Sequence, residues 1–154
     1  MNICITGTVT ISAELKTIFD YVANLENDKS WRKEINSTTM STRPQINALA
    51  TENSYLSKRV PNNVLHLSCI AFAPNQEVIY QTVPESEFFL KSIRQVNRTA
   101  QNKTALTYSV EFDKAIVKHG LGFPLPSIII KYAAKSDLSK YLTTLKSILE
   151  SSRT

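Results

Sequence analysis

Three glycines and two cysteines in 154 residues already restrict what this chain can be. No Gly-rich phosphate loop, dinucleotide fingerprint, Cys-x-x-Cys pair or His-x-x-x-His pair occurs, so the common nucleotide, redox and metal chemistries have no motif to stand on. Cys4 and Cys69 both fall within apolar, strand-like runs and read as small buried hydrophobes of a reducing compartment rather than as a disulfide framework. His66 and His119 are the only histidines, too few and too scattered to hold a metal with the remaining ligand types. No apolar run approaches the roughly 20 residues that a membrane-spanning helix needs. The longest candidate, 125–130, is broken by Pro126 and followed by Lys131. The opening Met1-Asn2-Ile3-Cys4-Ile5-Thr6 lacks the basic start and continuous apolar stretch of a secretory signal, so a cytoplasmic location without stable membrane insertion is the expectation.

What is present points to an ordinary folded core. An apolar fraction of 42% and a charged fraction of 20% lie near globular averages, which excludes disorder. No repeat, low-complexity tract or linker interrupts the chain, so residues 1–154 read as one domain. The net charge of +5 is spread along the sequence, with Lys58-Arg59 and Arg32-Lys33 as the densest pairs, and nucleic acid is not an expected partner.

Residues 3–11 alternate apolar and small polar side chains, as a half-buried strand does. Ser12 is positioned to cap a helix on which Leu15, Ile18, Phe19 and Val22 share a face, and Asn24 can cap a second short helix ending near Trp31. From Glu34 to Lys114 the pattern is one of strands. Leu65, Leu67 and Cys69 alternate with His66, Ser68 and Ile70, which places His66 on the solvent face. A strand is expected over 87–98, and the clearest alternation sets Leu106, Tyr108, Val110 and Phe112 against Thr107, Ser109, Glu111 and Asp113. Residues 115–126 read as a loop holding Gly120 and Gly122, in which His119 is a plain loop residue. Ser127 then opens a helix with Ile128, Tyr132, Leu138, Tyr141, Leu142, Leu145, Ile148 and Leu149 on one broad stripe. The expected fold class is α+β: a curved antiparallel sheet of about seven strands, two short helices after the first strand, and one long C-terminal helix gripped by the sheet.

Several segments resemble the SRPBCC superfamily, in its polyketide cyclase/dehydrase-like branch. They are 11–13 running into Ile18-Phe19-Asp20-Tyr21-Val22-Ala23, then 24–27 and Trp31-Arg32; the turn and strand Phe72-Ala73-Pro74-Asn75 to Tyr80; the strand Thr104 to Phe112; and the ending Leu142-Thr143-Thr144-Leu145-Lys146. Together they cover nearly the whole chain in order. One departure is Asn102-Lys103-Thr104 where a Gly-Thr turn is usual, so Asn102 is expected to take the left-handed conformation. The resemblance implies a helix-grip (START-like) fold with an internal hydrophobic pocket, in a superfamily whose members bind or transfer lipids, hold hormones or quinones, cyclise polyketides or assist chaperones.

Within that frame the candidate ligand-binding residues are Trp31, Tyr55, Tyr80, Arg94, Tyr108, Phe112, Phe123 and Tyr132. Trp31 reads equally as pocket wall and as core anchor. Tyr80, Tyr108 and Phe112 are expected on the concave face, where buried tyrosine hydroxyls need partners. Arg94 faces inward if Phe88, Leu90 and Val96 do, and its permanent charge then requires a carboxylate, a phosphate, a carbonyl-rich ligand or water. A register shift would send it to solvent instead. Arg59 has a weaker case beside Tyr55 and Ser57.

No catalytic residue, cofactor or metal is expected. The first functional reading is binding, with transport as an extension, of a small hydrophobic molecule such as a lipid, quinone or polyketide. A polyketide cyclase- or dehydratase-type enzyme would instead show a polar cluster deep in the pocket. A protein-interaction module would show little cavity. Monomer and homodimer are both compatible with the sequence.

Overall fold

The computed structural model describes residues 1–151. The last three residues of the expected domain, 152–154, lie outside the described residues. Seven strands form one antiparallel sheet: β1 (Asn2–Ile11), β2 (Ile35–Met40), β3 (Leu49–Ser54), β4 (Asn63–Ala73), β5 (Glu77–Thr82), β6 (Leu90–Ala100) and β7 (Lys103–Asp113). Their spatial order is β1-β7-β6-β5-β4-β3-β2, so the first strand closes one edge beside the last and every other neighbour is consecutive. α1 (Leu15–Ala23) and a 3₁₀ turn (Leu25–Ser30) follow β1, α2 (Ala115–Leu121) follows β7, and α3 (Ser127–Ser151) ends the described chain. This is the α+β helix-grip arrangement expected from the sequence.

Period-two alternation decides the concave face. Ile3, Ile5 and Ile11 of β1, Leu106 and Tyr108 of β7, Arg94 and Val96 of β6, and Val78 and Tyr80 of β5 are buried there. Thr6, Thr8, Thr107 and Ser109 pair across the exposed outer face. Ile130, Leu138, Leu142, Leu145 and Leu149 of α3 bury one stripe against this concave side. Ridge and sheet come unusually close at Gly7, where an added Cβ would run into Leu138 Cδ2 and lie 3.1 Å from Leu142 Cδ1. Absence of a side chain at that position therefore sets how deeply α3 sits.

Four local expectations need correction. Cys4 is exposed, because Ile3 and Ile5 on either side of it face inward, whereas Cys69 is buried. α1 begins at Leu15 with Glu14 in the capping position rather than Ser12. Ser12 is drawn instead toward α3, its backbone N–H donating to Glu150 at 2.8 Å. The strand expected from Glu87 pairs only from Leu90, after Thr82 Oγ1 has accepted the Leu90 N–H at 3.0 Å. Part of the 115–126 loop is the helix α2, whose N-terminal turn is held by Asp113 Oδ1 accepting the Ala115 N–H at 2.9 Å and which ends at Gly122 with φ +87°.

Other expectations hold. Asn24 caps the 3₁₀ turn by accepting the Glu26 N–H at 3.1 Å, Asn102 adopts φ +55°, and His66 is exposed on the outer face of β4.

Substituting Gly7→Val forces side-chain atoms into Leu138 and Leu142, and overpacking of this kind costs about 1–3 kcal/mol. Urea denaturation should show a lower midpoint with an unchanged slope, and a midpoint equal to that of the unsubstituted chain would contradict the close approach of α3.

Candidate functional site

The site begins with the cap at Asn24. The 3₁₀ turn it starts carries Asp28 over the concave face, where both the Trp31 and Arg32 N–H groups donate to the Asp28 carbonyl at 3.0 and 2.7 Å. That turn delivers three side chains to one place. Asp28 is fully buried and meets Arg94, 1% exposed, in a two-pronged pair: Nη1 donates to Oδ1 at 2.7 Å and Nη2 to Oδ2 at 2.6 Å. Arg94 also donates to the Val22 carbonyl at 2.8 Å and to Ser92 Oγ at 3.1 Å. Its guanidinium carbon lies 5.1 Å from the ring centres of both Trp31 and Tyr108, and those rings meet edge-on at 5.4 Å. Tyr108 is the direct cross-strand neighbour of Arg94, so register alone brings the two together.

Arg32 extends the cluster. Its Nη1 donates to Asp28 Oδ2 at 2.9 Å and to Glu52 Oε1 at 3.0 Å, and its Nε donates to Glu34 Oε1 at 2.8 Å. The Tyr141 hydroxyl of α3 donates a short hydrogen bond to the second Glu34 oxygen. Three carboxyl groups thus surround two guanidiniums. One carboxyl can therefore carry a proton without leaving a cation unpaired, and Glu52, only 3% exposed, is the one that burial pushes above the ordinary carboxylate range against the pull of Arg32. Burial likewise raises the Tyr108 hydroxyl, which therefore stays protonated. Among the described residues, neither the Tyr108 hydroxyl nor Arg32 Nη2 has a hydrogen-bond partner within the chain, and both residues line open space.

That space is a cavity of about 270 Å³ between α3 and the sheet. Ile5, Leu65, Leu90, Val110, Phe112 and Ile116 form its apolar walls, while Arg32, Glu34, Glu52, Ser54, Tyr108 and Tyr141 supply its polar part. The volume lies near the lower end for small-molecule pockets, and apolar walls with a few convergent polar groups are their usual composition. The helix leaves the room because its inward positions here include Ala134 rather than a larger residue. A second lobe of about 290 Å³ adjoins it between α2 and α3, sharing Leu56, Phe112, Ile116, Ala134 and Asp137.

The structure separates the sequence-derived candidates. Tyr108 and Phe112 line the cavity. Arg94 does point inward, but its partner is Asp28. Trp31 is buried behind Tyr108 and away from the cavity lining, its Nε1 without a partner among the described residues. Tyr80 is a core residue whose hydroxyl donates to the Ala23 carbonyl at 2.7 Å. Tyr55 and Phe123 are exposed loop residues, and Tyr132 is 80% exposed on the outer side of α3, because the inward stripe there runs through Ile130 and Ala134. Arg59 lies beside Gly122, outside the cavity lining. Sequence reasoning missed Asp28, Arg32, Glu34, Glu52 and Tyr141. Two signals were available: Asp28 and Arg32 stand four residues apart at a capped turn, and Glu52 alternates in phase with Ala48, Ala50 and Ser54. No group of His, Cys, Asp and Glu able to hold a metal ion occurs among the described residues, and no helix there is long and apolar enough to cross a membrane.

No family model matches the sequence, and no curated protein matches it. Solved structures do. A START superfamily protein from Mycobacterium smegmatis superposes with a TM-score of 0.74 at 16% identity, covering 96% of this chain and 97% of its own. The Zhui aromatase/cyclase from a Streptomyces species gives a TM-score of 0.74 at 12% identity, over 97% of this chain and 94% of its own. The di-domain ARO/CYC BexL gives 0.68 at 14% identity, with this chain spanning 50% of that one. The likeness is one of fold, and it agrees with the resemblance read from the sequence.

Two outcomes test the charge cluster. Asp28→Asn leaves Arg94 buried without its carboxylate and should lower unfolding free energy by about 3–5 kcal/mol. The paired change Asp28→Leu with Arg94→Met should recover most of that loss, and a double variant as unstable as the single one would contradict the pairing. For Glu52, burial raises the folded pKa above the unfolded value of about 4.3. Its protonated form then contributes stability that is complete below that value and is lost as pH rises through the folded pKa. Relative to Glu52→Gln, the unsubstituted protein should lose stability on going from pH 4 toward neutrality, as read by urea midpoints; a constant difference between the two would remove the raised carboxyl.

Proposed function

We propose that this chain binds a compact, largely apolar small molecule carrying a carbonyl or hydroxyl oxygen at one end. The observation that carries this reading is a cavity whose walls are aliphatic and aromatic while one part presents unpartnered donors, Arg32 Nη2 and the Tyr108 hydroxyl. Both atoms face the cavity, where a ligand oxygen can accept from them in place of water, so they favour an oxygen function over a plain hydrocarbon. Fold likeness to START and aromatase/cyclase structures supports a small-molecule role and does not choose the ligand. Lipids, quinones and polyketides all meet the description in part, and the volume of the inner lobe favours a ring system or a short chain over a full diacyl lipid.

A second reading, cyclase- or dehydratase-type chemistry, has one observation in its favour. A carboxyl whose pKa burial raises, Glu52, sits within the same cluster as a guanidinium nitrogen that faces the cavity and a protonated tyrosine. Such a set can polarise a carbonyl and supply a proton to a developing enolate. Binding is the more economical reading, because the other carboxylates at the cavity are engaged, Glu34 by Arg32 and Tyr141 and Asp137 by Lys33, which leaves no free base to take a proton from carbon.

The test is native mass spectrometry of gently purified protein followed by denaturing extraction, with naphthol as an added probe. A one-to-one adduct is expected, weakened about tenfold by Tyr108→Phe and abolished by Ala134→Phe, which fills the cavity from α3. Unaltered adduct formation by Ala134→Phe, with its circular dichroism unchanged, would place any binding elsewhere and overturn the proposal.

A further inference from the structure

The positive charge of this protein is not distributed as evenly as a reading along the chain suggests. Residues 114–136 hold Lys114, Lys118, Lys131 and Lys135 with no Asp or Glu, and so carry four of the five net positive charges. The same segment exposes its largest apolar side chains. Ile128 is 78% exposed and Tyr132 80%, with Phe123 and Ile129 at least half exposed. Ile128 stands three and four residues before Lys131 and Tyr132, and Lys135 three and four after Tyr132 and Lys131, so the four share one outer stripe of α3 and together border a single shallow groove. Ile129, one position around the helix, borders with Leu125 the outer lobe of the cavity.

A cluster of large apolar groups in water marks a surface that is covered in use. Its chemistry narrows the cover. A second copy of the chain would bring the same lysines to the same face with no counter-charge in the segment, which opposes self-association. A protein partner seats its anchoring side chains in enclosed, desolvated pockets, whereas this groove is shallow and open to solvent. Apolar side chains flanked by lysines suit a bilayer surface: the former enter the headgroup boundary, tyrosine is favoured at that depth, and lysine stems cover apolar area while their ammonium groups reach anionic headgroups.

We propose that the face formed by the N-terminal half of α3 and the loop before it docks peripherally on an anionic lipid bilayer, with the outer lobe of the cavity beside the contact. The docking needs no membrane-spanning element, and it stands whatever molecule fills the cavity.

The test is flotation of the full chain with vesicles of phosphatidylcholine alone and of phosphatidylcholine mixed with phosphatidylglycerol. Binding is expected only to the mixed vesicles and should weaken as salt rises. Ile128→Ser with Tyr132→Ser, and separately Lys131→Glu with Lys135→Glu, should each reduce the bound fraction at least tenfold without changing the thermal melting temperature, since all four side chains are exposed. Naphthol binding should survive both pairs, which keeps this result separate from the fate of the cavity proposal. Failure of the unsubstituted chain to float with mixed vesicles would overturn the docking. So would equal binding by both variants, or a stable dimer that Ile128→Ser with Tyr132→Ser converts to monomer.

Discussion

The pairing of Asp28 with Arg94 is the constraint on which the rest of the architecture rests. Arg94 cannot lose its charge, and the alternation of β6 sends it into the core. A buried guanidinium without a carboxylate would be too costly to keep there, so the turn after Asn24 must lie where Asp28 can reach it. Fixing that turn also fixes Trp31 against Tyr108 and places Arg32 among Glu34 and Glu52. The same contact ties α1 and its following turn to the middle of the sheet, because Arg94 also takes the Val22 carbonyl at the end of α1. A single ion pair thus locks the short helices, the central strands and the polar part of the cavity into one arrangement.

α3 completes the enclosure in two different ways along its length. Its C-terminal half packs leucines closely on β1, with Gly7 allowing the approach. Toward its N-terminus the inward residues are Ile130, Ala134 and Asp137, a smaller and more polar set that cannot fill the space under the curved sheet. Cavity and exposed face arise from this same change in composition. Side chains that would be expected to close the gap, Ile128 and Tyr132, are turned outward.

Much of this was legible from residue patterns. Alternation in β4 and β7, the Asn24 cap, the left-handed Asn102 and the long terminal helix follow from local rules that tertiary contacts did not override. The facing of Arg94 was left open between core and solvent, and its partner was not legible at all. Asp28 lies 66 positions away in a segment that reads only as a short helix capped by Asn24, and nothing in the spacing announces that it folds over the sheet. Arg32 went unread as part of the cluster, since a basic side chain in a short turn is ordinarily solvated. Tyr132 shows the opposite failure. It fits the apolar stripe of α3 by type, yet a helix stripe of this breadth is wider than the sheet can cover, and the choice of which edge stays wet depends on the crossing of helix and sheet rather than on sequence period.

The measurement that tests the central claim most directly is methyl-resolved NMR of protein labelled at its Ile, Leu and Val methyl groups during titration with naphthol. Shifts concentrated at Ile5, Leu65, Leu90, Val110 and Ile116, with Leu49, Val64 and Ile70 on the outer face of the sheet unchanged, are the predicted result. Shifts confined to outer-face methyls, or none at saturating probe, would contradict a ligand cavity between α3 and the sheet.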